Sequence, residues 1–203
     1  VIANDVKQIL KHIPKNLSKK LLDIGCGVGN YTNAFKNNNF NVTGIDHSTN
    51  MLKKANIENP TCEFIKGDVV NNDIVENNSY PFIYIGHNVL NLNNHHEIIQ
   101  IIQNCKKWLQ KKGCLICHIS NNKELDIFPR EYSQFYKNNG YNKDINKVSF
   151  TYFKNFRYDK WFAPKKNKPN HYFQYEKITL ENNKERIKRL DLTILPKKKL
   201  IQI

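Results

Sequence analysis

The segment "KKLLDIGCGVGNY", Lys19 to Tyr31, places Gly25, Gly27 and Gly29 at alternate positions behind an apolar run. Asp23 stands two residues before the first of them. Glycines so spaced, between a strand and a helix, permit a tight turn and let the backbone come close to a ligand. Such turns commonly cradle a phosphate. Here the acid argues otherwise, because Asp23 would face a pyrophosphate across a few ångströms of dry crevice. The dinucleotide pattern G-x-G-x-x-G also needs glycine at position 30, where Asn30 stands. A cationic ligand reverses the sign of the interaction.

Two further acids have matching positions. Asp46 closes "NVTGID", 23 residues after Asp23, where a carboxylate can accept both hydroxyls of a ribose. Asp68 closes "CEFIKGD" and suits the amino group of an adenine, with Met51 placed to pack on the ring face. Each acid alone reads more readily as a loop or capping residue. Three of them, at the carboxyl ends of three successive strands behind a glycine turn, share one explanation. S-adenosylmethionine carries an ammonium and a sulfonium but no phosphate, and it has the ribose and adenine that the other two acids would hold.

The elements needed to position these residues are visible as periodicities. Val6, Ile9, Leu10 and Ile13 predict a first helix ending near Pro14. "LLDIG" reads as a buried strand, Tyr31–Asn39 as a helix, and Asn41–Asp46 as a second strand. Ser48 is placed to cap a helix bearing Met51, Leu52 and Ala55. Cys62–Asp68 and Phe82–Gly86 are the third and fourth strands. Ile98, Ile101, Ile102, Cys105, Trp108 and Leu109 form a helical stripe, and "CLICHIS" after "KKG" is a fifth strand. Strands alternating with helices predict an α/β fold, a doubly wound, mostly parallel sheet with helices on both faces. After residue 120 the pattern changes to a helix over Pro129–Asn139 and three strand-like runs, an antiparallel β extension. The expected organisation is a core over 1–120 and a segment over 121–203 that completes the sheet and covers the acceptor site within the same domain.

These segments together resemble the class I S-adenosylmethionine-dependent methyltransferases. "LLDIGCGVGNY" matches the D-x-G-x-G-x-G motif of that family, "VTGIDHSTNML" its second motif and "FIKGD" its third. "WLQKKGCLICHIS" resembles the segment leading into its fifth strand. The fourth strand departs from the family pattern, with Tyr80-Pro81 where Phe-Asp is usual. The resemblance spans roughly residues 1–120. It implies a Rossmann-like methyltransferase fold with S-adenosylmethionine as cofactor and S-adenosylhomocysteine as product. The implied cofactor residues are Asp23, Gly25, Cys26, Gly27, Gly29, Asp46, His47, Met51, Asp68, Val69, Gly86 and His87.

In-line methyl transfer needs alignment and exclusion of water more than activation, because the sulfonium is already electrophilic. A hydroxyl acceptor also needs a base, and His87, after the fourth strand, is the expected one. The alternative is that His87 only presents its backbone to the cofactor. His118 and Ser120 are secondary candidates. Asn88, Tyr152, Arg157, Trp161, His171 and Tyr172 are the expected acceptor residues, with Arg157 suited to a phosphate or carboxylate. No metal site is expected. The leading expectation is a small-molecule methyltransferase acting on an anionic metabolite or nucleotide-linked sugar, oxygen slightly favoured. The competing ones are an RNA or cap methyltransferase and a non-catalytic binding subunit of the same fold.

Composition bounds these readings. Residues 1–120 carry 13 Lys/Arg against 9 Asp/Glu, and residues 121–203 carry 19 against 9, so most of the net charge of +14 lies in the second part. That asymmetry would suit an anionic partner. However, only four of the basic residues are arginines, Arg130, Arg157, Arg186 and Arg189, and the arginine fork is the usual phosphate reader. Nucleic acid is therefore the less favoured partner. The five cysteines are odd in number and fall in core segments, which predicts reduced thiols and a cytoplasmic setting. No apolar run is long enough for a membrane span, and oligomeric state is left open.

Overall fold

The computed structural model describes residues 2–71, 74–87, 89–118, 147–153, 156–164, 171–180 and 184–193. They fall into two compact units, the first drawn from described residues up to 90 and from 95 to 118, the second from residues 91–94 and from described residues between 147 and 193.

The first unit opens with α1 (Ile2–Leu10), whose Val6 is buried. Then come β1 (Lys20–Ile24), α2 (Asn30–Lys36), β2 (Asn41–Asp46), α3 (Thr49–Glu58) and β3 (Glu63–Lys66). β4 (Tyr80–Ile85), α4 (His95–Trp108) and β5 (Leu109–Cys117) complete it. The five strands lie in the order β3-β2-β1-β4-β5, and every pairing is parallel. A parallel sheet covered on both faces needs strands that are apolar throughout. All six residues of β4 are accordingly buried, as are the last four of β1. One cluster joins Val6, Leu21, Tyr31, Phe35, Val42, Phe82 and Tyr84. It fixes α1 and α2 against β1, β2 and β4.

Several boundaries differ from those the sequence suggests. β4 starts at Tyr80 rather than Phe82 and takes in Pro81, which has no N–H to give a ladder. The register toward β5 shifts between Tyr80 and Phe82, so the missing donor falls at an irregularity, where proline is tolerated. β5 starts directly after α4, and the "KKG" turn lies inside it, with Lys112 at φ 66°. β3 is shorter than Cys62–Asp68 and ends at Lys66.

The second unit contains a four-stranded antiparallel sheet, β6 (Lys147–Phe153), β7 (Phe156–Pro164), β8 (His171–Leu180) and β9 (Glu185–Thr193), paired in chain order. The sequence suggests three runs here. The first is two strands, paired antiparallel from Lys147 opposite Phe162 to Phe153 opposite Phe156. Asn91 joins this unit from a distant point of the chain, its side-chain amide donating to the Thr193 carbonyl at 2.9 Å. The helix expected over 129–139 lies outside the described residues.

Candidate functional site

In the order β3-β2-β1-β4-β5, the chain leaves β1 toward β2 on one side and finds β4 on the other. The connections diverge there and open a crevice at the carboxyl ends of the two strands. A cavity of about 350 Å³ occupies this place within the first unit, lined by the glycine turn, the start of α2, the end of β4 and Ile2 of α1.

The turn is held from β2. The Gly25 and Cys26 amides both donate to the Ile45 carbonyl, at 2.8 and 3.0 Å, and Gly25, Gly27 and Gly29 all have positive φ. Their surroundings separate their roles. A Cβ on Gly25 would collide with Val89, and one on Gly29 would lie 2.6 Å from the Phe64 ring, whereas one on Gly27 would meet nothing within 4 Å. Gly25 and Gly29 serve packing. Gly27 alone keeps its α-carbon open toward free space.

Asp23, the penultimate residue of β1, lies at the cavity wall and is only 2 % exposed. It accepts a hydrogen bond of 2.6 Å from the Thr32 hydroxyl on α2. Burial pushes its carboxyl up to about 7, and the charge of Asp46 adds to the rise, while the Thr32 bond opposes it. An acid so placed stays partly protonated at neutral pH and becomes a full anion when a cation arrives. The same burial, with Asp23 and Asp46 nearby, raises the Cys26 thiol, so Cys26 is a wall residue rather than a nucleophile.

Asp46 lies behind the turn rather than in the cavity lining. One carboxylate oxygen accepts from the Gly27 amide at 2.9 Å and the other from the Ser48 amide at 2.8 Å. It thus ties the glycine turn to the start of α3, where Ser48 caps the helix and Met51 reaches the cavity. The neighbouring His47 imidazole stands 3.8 Å from Asp46 and is 85 % exposed. Asp68 and Val69 follow β3 and also lie outside the lining.

Gly86 and His87 border the cavity at the end of β4. His87 is exposed, has φ 30°, and sets its ring edge-on to Tyr31 at 4.8 Å and to His118 at 5.4 Å between centroids. Tyr31 stacks on Tyr84 at 5.4 Å and donates its hydroxyl to Asp5 of α1 at 2.8 Å. Burial and this bond push the Tyr31 phenol up to about 12.

The structure therefore brings Asp23, Gly25, Cys26, Gly27, Met51, Gly86 and His87 to one cavity. Sequence reasoning missed Ile2, Val28, Asn30, Tyr31 and Tyr84 there. Three of these belong to the quoted glycine segment itself, and their proximity was the available signal. Asn88 and Ser120 lie outside the described residues. The other expected acceptor residues fall on strands of the second unit: Tyr152 opposite Arg157, Trp161 opposite Val148 and Tyr175, His171 opposite Thr193, and Tyr172 opposite Pro164 and Leu192. Among the described residues no group of three or more His, Cys, Asp or Glu side chains is arranged to hold a metal.

Comparison with known proteins agrees with this geometry. Residues 21–113 match the family model described as a methyltransferase domain. The demethylmenaquinone methyltransferase of Staphylococcus aureus strain MRSA252 is 28 % identical over 139 residues, 64 % of this chain and 55 % of that protein. The chain thus spans about half the length of the curated relatives it matches. Among solved structures, an S-adenosylmethionine-dependent methyltransferase from Clostridium acetobutylicum superposes with TM-score 0.72 at 15 % identity, covering 98 % of this chain and 75 % of that one. An amino pentose methyltransferase from Micromonospora echinaspora, solved with S-adenosylmethionine bound, gives 0.71 at 15 % identity, covering 98 % and 78 %. At such identities these two likenesses speak for the fold. Residues 21–113 therefore carry a methyltransferase-domain sequence pattern, and the chain shares the fold of S-adenosylmethionine-dependent methyltransferases.

Proposed function

We propose that the chain binds S-adenosylmethionine in this cavity and transfers its methyl group to a small-molecule acceptor, an anionic metabolite or nucleotide-linked sugar, releasing S-adenosylhomocysteine. The observation that carries the reading is the buried Asp23 carboxyl beside the open Gly27. A fixed acid and a bare backbone at a helix start suit a cationic amino-acid moiety and disfavour a phosphate. The ribose and adenine ends extend past the cavity lining toward Asp46 and Asp68, as the family motifs imply. The cofactor supplies an electrophilic methyl group, so this chain's residues have to bind, align and exclude water.

His87 is the proposed base. It lies at the cavity rim, and its exposure lets a proton pass on to solvent. Oxygen is the favoured acceptor atom on that account, because a hydroxyl needs deprotonation and a neutral amine does not. The acceptor-selecting role of the second unit belongs to the same proposal, with Arg157 as its anion-binding residue. The small-molecule reading also draws support from the named activities of the demethylmenaquinone and amino pentose enzymes.

Titration calorimetry with S-adenosylhomocysteine is the first test. Saturable one-to-one binding is expected, and none at millimolar ligand would sink the proposal. Once an acceptor is found, His87→Ala is expected to keep cofactor affinity within a fewfold and to lower kcat by about 10²–10⁴. Near-normal turnover would move the chemistry to a nitrogen acceptor. Loss of cofactor affinity would instead make His87 a cofactor residue.

A further inference from the structure

A buried amide on α4 reaches across to the turn that follows β3. Asn104 has no exposed surface. Its side-chain N–H groups donate to the Val69 carbonyl at 3.1 Å and the Val70 carbonyl at 2.9 Å, and its oxygen accepts from the Gln100 amide at 3.0 Å. Every polar atom of the carboxamide is thereby engaged, two of its bonds going to consecutive backbone groups some 35 residues away.

The turn it grips is otherwise held at its ends. The Gly67 amide donates to the Asp46 carbonyl at 3.1 Å and the Asn71 amide to the Asp68 carbonyl at 2.9 Å. The Val70 amide donates to one carboxylate oxygen of Asp68 at 3.0 Å. Asp68 itself is exposed. Its carboxylate is tied to the Val70 amide, so its position depends on the backbone of that turn. Packing alone would be served as well by leucine at position 104. An asparagine that satisfies two carbonyls specifies where those carbonyls stand.

We propose that Asn104 is a positioning residue for the purine end of the cofactor site, holding the Val69–Val70 backbone so that Asp68 meets the purine amino group. The inference rests on the proposed binding of S-adenosylmethionine, with Asp68 at the adenine. Asn104 acts through the turn and touches no ligand.

The test compares S-adenosylhomocysteine with S-inosylhomocysteine, which carries a 6-oxo group in place of the 6-amino group. Asp68 can accept a hydrogen bond from the first and is repelled by the second. The wild-type chain is expected to prefer the 6-amino ligand by roughly 10–100-fold, the worth of one charge-assisted bond. Asn104→Ala is expected to reduce that preference below about threefold. A variant that only loosened the fold would weaken both ligands together, so an undiminished preference in Asn104→Ala would overturn the proposal. Should Asn104→Ala fail to fold, Gln100→Ala removes the bond that orients the amide from a partly exposed position. It is expected to reduce the preference about twofold to fivefold, and no reduction would equally overturn the proposal. A wild-type chain that binds S-adenosylhomocysteine without preferring it would overturn this inference and leave the methyltransferase reading standing. A wild-type chain that binds neither ligand would overturn both.

Discussion

Asp23 is costly to the fold in a way that can be measured. Its carboxyl titrates near 7 in the folded chain against an ordinary 3.8, so between those values the folded state holds a proton that the unfolded state has lost. The resulting stability is complete below pH 3.8 and is lost as the pH rises through about 7. The full difference amounts to about 4 kcal/mol at most. Asn at this position keeps an acceptor for the Thr32 hydroxyl without carrying a charge. Asp23→Asn is therefore expected to gain stability over the native chain, with an advantage that grows by about 2–3 kcal/mol between pH 5 and pH 8. Urea denaturation at the two pH values measures it, and an advantage independent of pH would contradict the burial argument. The same variant is expected to bind a cationic ligand less well, which would account for an acid in so unfavourable a place.

At the scale of the element, the glycine turn divides into packing and function. Gly29→Ala forces a left-handed alanine against the Phe64 ring and is expected to cost about 2–4 kcal/mol. Gly27→Ala meets no neighbour and should cost only about 1–2 kcal/mol of strain, while weakening S-adenosylhomocysteine by more than tenfold. Melting curves and calorimetry on the pair check this, and equal losses of stability would erase the distinction. The turn was legible in sequence because strand, glycines and acid are contiguous and each restricts the next. Thr32 on α2 was not, since its hydroxyl matters only once the helix faces β1. Tyr84 was hidden for a similar reason. In a strand buried on both faces nothing in "FIYIG" marks which side looks onto a cavity. The split of β6 from β7 was missed because "KNF" lacks the Gly or Asn-Gly that normally signals a hairpin.

At the scale of the molecule, the surplus positive charge lies mainly outside the first unit, and Arg186 and Lys188 are exposed on β9. Charge alone attracts any polyanion. Generic RNA is expected to bind weakly, with affinity falling steeply as salt rises, and to receive no methyl group. Replacing Arg186 and Lys188 by Gln should reduce that binding and leave S-adenosylhomocysteine affinity within about twofold. Methyl incorporation into RNA that survives 200 mM salt would instead favour a nucleic-acid substrate.

The central place of β1 has a consequence in time. Leu21 is aligned both with Val42, close by along the chain, and with Phe82, far along it. The first pairing closes a short loop and the second a long one, and long closures are the slower to form. As the chain emerges, β1, β2, β3 and the glycine turn can assemble while β4, Gly86 and His87 are still missing. A half-built sheet of this kind has the motif but no cavity. A ligand that needs both walls can engage only after β4 has docked. It then acts as a latch on the finished sheet, lengthening the native state's lifetime without hastening its arrival.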